Sequence, residues 1–66
     1  MQIVLNGQTH ELEADLTVAD LLSREQLAGK RVAVELNGDI LPRSRHGEQR
    51  LQPGDRIEIV HAIGGG

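Results

Sequence analysis

The sequence predicts a small α+β domain in which a mixed sheet of four to five strands carries one main helix across one face. Three observations predict it. Apolar and polar residues alternate at period two in several short segments, one intervening stretch switches to helical spacing, and Asn-Gly and Pro-Gly signals separate the segments. A chain of 66 residues has room for one domain, with a modest folding margin because so much of its surface stays in water.

The elements follow in order. Ile3 and Leu5 alternate with Gln2 and Val4, Asn6-Gly7 interrupts, and His10, Leu12 and Ala14 then alternate with Thr9, Glu11 and Glu13. This predicts a β-hairpin, since Asn-Gly accepts positive φ in a tight turn. The acids of the second strand suit a solvated sheet edge. Thr17 and Asp20 form a capping box with Asp in place of Glu, and Val18, Leu21 and Leu22 share one helical face. A helix over residues 17–26 is expected, its stripe extended by Leu27, with Gly29 placed to end the segment.

Val32, Val34 and Leu36 alternate with Arg31, Ala33 and Glu35 in a third strand, which Asn37-Gly38-Asp39 turns into the short extended piece Ile40-Leu41 before Pro42. Residues 43–49 are polar and loop-like, with room for a single helical turn, and Leu51 anchors the chain ahead of the turn Gln52-Pro53-Gly54-Asp55. The last strand covers residues 56–62. Its apolar residues at Ile59 and Val60 fall on both faces, as in a central strand. Placing this strand beside the first gives the β-grasp, or ubiquitin-like, arrangement over residues 1–63, followed by a flexible glycine tail at 64–66.

Composition excludes several functions. With no Phe, Tyr or Trp the core is branched aliphatic, and stacking on bases or sugars is unavailable. With no Cys there is no disulfide, thiolate metal site or cysteine nucleophile. A net charge of -3 argues against neutralising nucleic-acid phosphates. The N-terminus lacks the pattern of a secretory signal, and no apolar stretch is long enough to span a bilayer. The expectation is a cytoplasmic protein with protein partners, binding neither nucleic acid nor membrane.

Three stretches are distinctive: Val32-Ala33-Val34-Glu35-Leu36-Asn37 leading to Ile40-Leu41-Pro42-Arg43-Ser44; Leu51 with Pro53-Gly54-Asp55-Arg56-Ile57-Glu58-Ile59-Val60; and the end, His61-Ala62-Ile63-Gly64-Gly65-Gly66. In these the whole chain resembles the sulfur carrier proteins of thiamine biosynthesis, the ThiS family of ubiquitin-like sulfur carriers. The small sulfur-carrying subunit of molybdopterin synthase is a related alternative, although that family usually runs longer and carries aromatic residues. The ThiS resemblance implies that a ThiF-like adenylyltransferase activates Gly66 with ATP, that a sulfurtransferase system supplies sulfur, and that the resulting thiocarboxylate delivers it to a ThiG-like thiazole synthase. On that reading the chain is a protein co-substrate rather than an enzyme. It has no catalytic residue, bound cofactor or metal of its own.

The chemistry suits the end of the chain. A carboxylate resists a sulfur nucleophile until its oxygen becomes a leaving group, which an acyl-adenylate provides. Gly65 and Gly66 lack the Cβ that would block a narrow channel, contacts from Ile63 and the folded domain would have to offset the cost of ordering the tail, and Gly64 would add reach. A noncovalent interaction module with incidental glycines is the alternative from another class.

Other residues read more plainly. If the helix covers the face bearing Ile3, Leu5, Val34 and Ile59, then Val4, Ala33, Val60 and Ala62 lie on the open face, where an apolar patch beside the tail favours a partner interface. His10, His46 and His61 are too scattered for a metal site, and His61 is expected to be satisfied within the fold. Asp15, Asp20 and Asp55 read as caps and turn residues. Arg43, Arg45, His46 and Arg50 read as a solvated basic loop.

Overall fold

The computed structural model describes residues 1–61 and sets five strands and one helix in the predicted arrangement. The strands are β1 (Gln2–Leu5), β2 (Gln8–Glu11), β3 (Val32–Leu36), β4 (Asp39–Leu41) and β5 (Arg56–His61), with helix α1 (Val18–Arg24) between β2 and β3 and a 3-10 turn at Arg43–Arg45. The sheet order is β2-β1-β5-β3-β4. β5 runs parallel to β1 and antiparallel to β3, so the last strand is central and β2 and β4 are the edges.

Both hairpins turn on Asn-Gly, with φ of 48° and 82° at Asn6 and Gly7 and 52° and 92° at Asn37 and Gly38, the double positive φ that matches strand twist. The two asparagines also hold the central strand. Asn6 Oδ1 accepts from Ile59 N at 2.8 Å, satisfying a backbone group that β1 no longer reaches. Asn37 Oδ1 accepts from Arg56 N at 2.9 Å.

The capping box forms as expected: Asp20 N donates to Thr17 Oγ1 at 3.1 Å and Thr17 N to the Asp20 carboxylate at 2.9 Å. The remaining first-turn donors go to the following loop, Val18 N to Gln49 O at 2.9 Å and Ala19 N to His46 O at 3.0 Å. The helix proper covers Val18–Arg24 with Thr17 and Glu25 as its caps, within the expected 17–26, and Gly29 is not what ends it. It closes at Gln26, in the left-handed region at φ 61°, with Leu27 N bonded to Leu22 O at 2.7 Å and Gln26 N to Ser23 O at 3.0 Å. These are the two bonds of a Schellman cap, and burying the Leu27 side chain against the core offsets placing Gln where Gly is usual. Gly29 belongs to the next turn.

The core is aliphatic, with Ile3, Leu5, Val34, Ile57 and Ile59 of the sheet packed against Val18, Leu21 and Leu22 of α1. His46 departs from expectation. It is buried rather than solvated, its Nε2 lies 3.2 Å from Leu41 O, and it ties the 43–49 loop under the start of α1.

Thr17→Ala should cost about 1 kcal/mol and lower the melting temperature by roughly 4–8 °C, read by circular dichroism. The Asp20 carboxyl is held below its ordinary pKa of 3.8, first by the Thr17 backbone N–H and then by the Thr17 side chain. A depressed folded pKa gives a contribution that is complete above the ordinary value and lost as pH falls through the lower, folded one. The deficit of an Asp20→Asn variant should therefore be seen at neutral pH and close on acidification below 3.8. A deficit that does not change with pH would contradict the box.

Candidate functional site

β5 is the strand that precedes the glycines in the sequence, and the fold sets it in the middle of the sheet. Ile57 and Ile59 are buried, and strands flank it on both sides. Gly64, Gly65 and Gly66, with Ala62, Ile63 and the expected boundary between 63 and 64, lie outside the described residues. The last described residue, His61, stands opposite Val32 and is exposed, where it was expected to be satisfied within the fold.

Val60 and Ala33 face each other directly across β5 and β3 on the open side, both exposed, Val60 at 56%. Val4 shares that side but is half-buried and pairs with Arg56, four residues back along β5 and so about 13 Å from Val60. The structure thus brings Ala33 and Val60 together and sets Val4 apart. The cause is that β1 meets only the start of β5 before Asn6-Gly7 turns it away. Ile40, 66% exposed and opposite Glu35, adds an apolar side chain to the same face. The hairpin register carried that signal: with Val34 inward and the turn centred on Asn37-Gly38, Ile40 has to point outward with Glu35.

Charge on this face is mostly acidic. Glu35 and Glu58 stand directly opposite one another, an arrangement of like charges that opposes pairing. Apolar spots set among carboxylates suit a partner surface that is apolar and basic.

The other singled-out residues resolve individually. Asp55 works as a turn residue, accepting from Gln52 N at 2.8 Å and from Asn37 Nδ2 at 3.0 Å. Asp15 is no cap: it sits at φ 63° and pairs with Arg50 at 3.7 Å. Arg43, Arg45 and Arg50 are all exposed as expected, and of the basic segment only His46 is buried. Among the described residues no three His, Cys, Asp or Glu gather as metal ligands, and no helix is long and apolar enough to cross a membrane.

The ThiS family model matches residues 3–66. Over 66 residues the chain is 46% identical to a thiazole synthase of Magnetococcus marinus, matching all of the chain but spanning only 20% of that protein's length. It is 44% identical over 63 residues to the sulfur carrier protein ThiS of Bacillus subtilis, covering 94% of this chain and 96% of that one. The crystal structure of a thiamine biosynthesis protein (ThiS) from Geobacter metallireducens superposes with a TM-score of 0.86 at 33% identity, over the full length of both chains.

Proposed function

The chain belongs to the ThiS family, and we propose on that footing that it is a sulfur carrier of thiamine biosynthesis whose Gly66 carboxylate is the group that is charged. The observation that carries this reading is the family match, which runs through the terminal glycines over residues 3–66. A ThiF-like adenylyltransferase joins the Gly66 carboxylate to the α-phosphate of ATP with loss of pyrophosphate. A persulfide from a sulfurtransferase then displaces AMP, and cleavage of the sulfur–sulfur bond by a thiol leaves the thiocarboxylate.

The chain itself supplies position rather than catalysis. β5 is paired with β1 at its start and with β3 from Ile57 to His61, and the Asn6 side chain takes Ile59 N where β1 no longer reaches, so β3 and Asn6 fix the strand that precedes the tail. ATP is consumed by the activating partner and no cofactor is resident. Thiazole synthase as the recipient is supported by the relatives of that name, in which a segment like this chain forms 20% of the protein.

Incubation with ATP, the adenylyltransferase and the sulfurtransferase should convert the chain to a species with sulfur in place of one oxygen, and added thiazole synthase with its small-molecule substrates should consume that species. No conversion would overturn the carrier reading. Conversion without consumption would overturn the thiazole assignment alone.

A further inference from the structure

A groove of about 290 Å³ opens on the covered side of the sheet, where the end of α1, the 27–30 turn, the start of β3 and the 43–47 segment meet. Leu22, Leu27 and Val32 give it an apolar wall, and the cations Lys30 and Arg43 with the imidazole of His46 give it a polar rim. His46 is the fixed part of that rim, only 7% exposed and set by its contact with Leu41 O.

Charge singles the groove out. On a chain of net charge -3, no carboxylate of the described residues lines it, and neither Lys30 nor Arg43 makes an ion pair with a described residue. Its volume falls at the small end of ligand pockets, which run from roughly 300 to 1,000 Å³, so it fits one or two aliphatic side chains better than a cofactor. It also lies beside the departure of the tail, because Val32 in its wall stands opposite His61. Residues 62–66 fully extended span about 17 Å, so an enzyme holding Gly66 has to lie against this end of the molecule.

We propose that this groove is a contact surface for thiazole synthase, separate from the open sheet face, that takes an aliphatic side chain of the synthase flanked by carboxylates. The proposal rests on the thiazole reading above. Lys30 and Arg43 pair with the carboxylates while Leu22, Leu27 and Val32 cover the aliphatic group, so neither the apolar wall nor the charges act alone.

The test compares two pairs of charge reversals that change net charge equally. Lys30→Glu with Arg43→Glu alters the groove, whereas Arg31→Glu with Arg45→Glu alters exposed neighbours that do not line it. Binding of each 66-residue chain to the thiazole synthase of the same organism is measured by calorimetry, with melting temperatures alongside and Lys30→Gln with Arg43→Gln as a milder groove pair. The groove reversals should weaken binding by roughly tenfold or more, and the control pair by less than about threefold because it removes only screened surface charge. Equal losses in both pairs, or no loss in the groove pair, would overturn the groove as a contact. Failure of the unaltered chain to bind the synthase would instead overturn the thiazole reading on which it rests.

Discussion

Removing Gly65 and Gly66 abolishes sulfur loading while leaving thermal unfolding unchanged. The buried core from Ile3 to Ile59 is built of branched aliphatic side chains, which glycine does not have, so unfolding is expected to be unchanged. Truncation moves the terminal carboxylate back by two residues, about 7 Å of extended chain. Misplacement of a reacting group by about 1 Å can already cost on the order of 100-fold in rate, so loading should fall below detection by intact mass. A lowered melting temperature in the truncated chain would show that the glycines support the fold. Normal loading on Gly64 would show that the terminal position does not matter.

Ile59→Asp unfolds the domain and Val60→Asp does not, although the two residues are neighbours on one strand. Ile59 is 8% exposed, opposite Val34 and packed in the core, and an aspartate there buries a charge with no partner. Removing that carboxylate from water costs several kcal/mol, comparable with the roughly 3–10 kcal/mol that stabilises a domain of this size. Val60 is 56% exposed on the other face, so its carboxylate stays solvated in the free chain. A partner that covers Ala33 and Val60 has to strip water from the new charge, and binding to the adenylyltransferase, the synthase or both should drop at least tenfold, about 1.4 kcal/mol. Circular dichroism and binding measured on the same samples decide it. Unfolding of Val60→Asp would contradict the burial, and normal binding to both enzymes would contradict the interface.

What was legible in the sequence follows from how local its cause is. The hairpins, the Thr17–Asp20 box and most inward residues depend on neighbours a few positions away and appear as expected, except that β2 stops at Glu11, leaving Leu12 buried beyond the strand and Ala14 exposed. The burial of His46 was not legible, because it depends on the 43–49 loop folding back under α1, a contact between distant segments. The helix end near Gln26 was legible but not its cap, because glycine is the usual left-handed residue whereas here the docking of Leu27 closes the cap on Gln26. On the open face, alternation correctly assigns Val4, Ala33 and Val60 to one side. It does not say how far apart they stand, which depends on where β1 leaves β5. The glycine run was legible as a motif and its chemistry through the family resemblance; the groove beside the tail needed the fold, since its wall comes from four separate segments.

The central claim is that Gly66 carries sulfur, and the mass of the C-terminal peptide recovered from cells making thiazole tests it most directly. The expected result is a peptide ending in Gly64-Gly65-Gly66, a fraction of it with sulfur replacing one terminal oxygen, and that fraction lost when the adenylyltransferase is deleted. A peptide that carries only the ordinary carboxylate while thiazole synthesis proceeds would contradict the account, as would sulfur on any other residue.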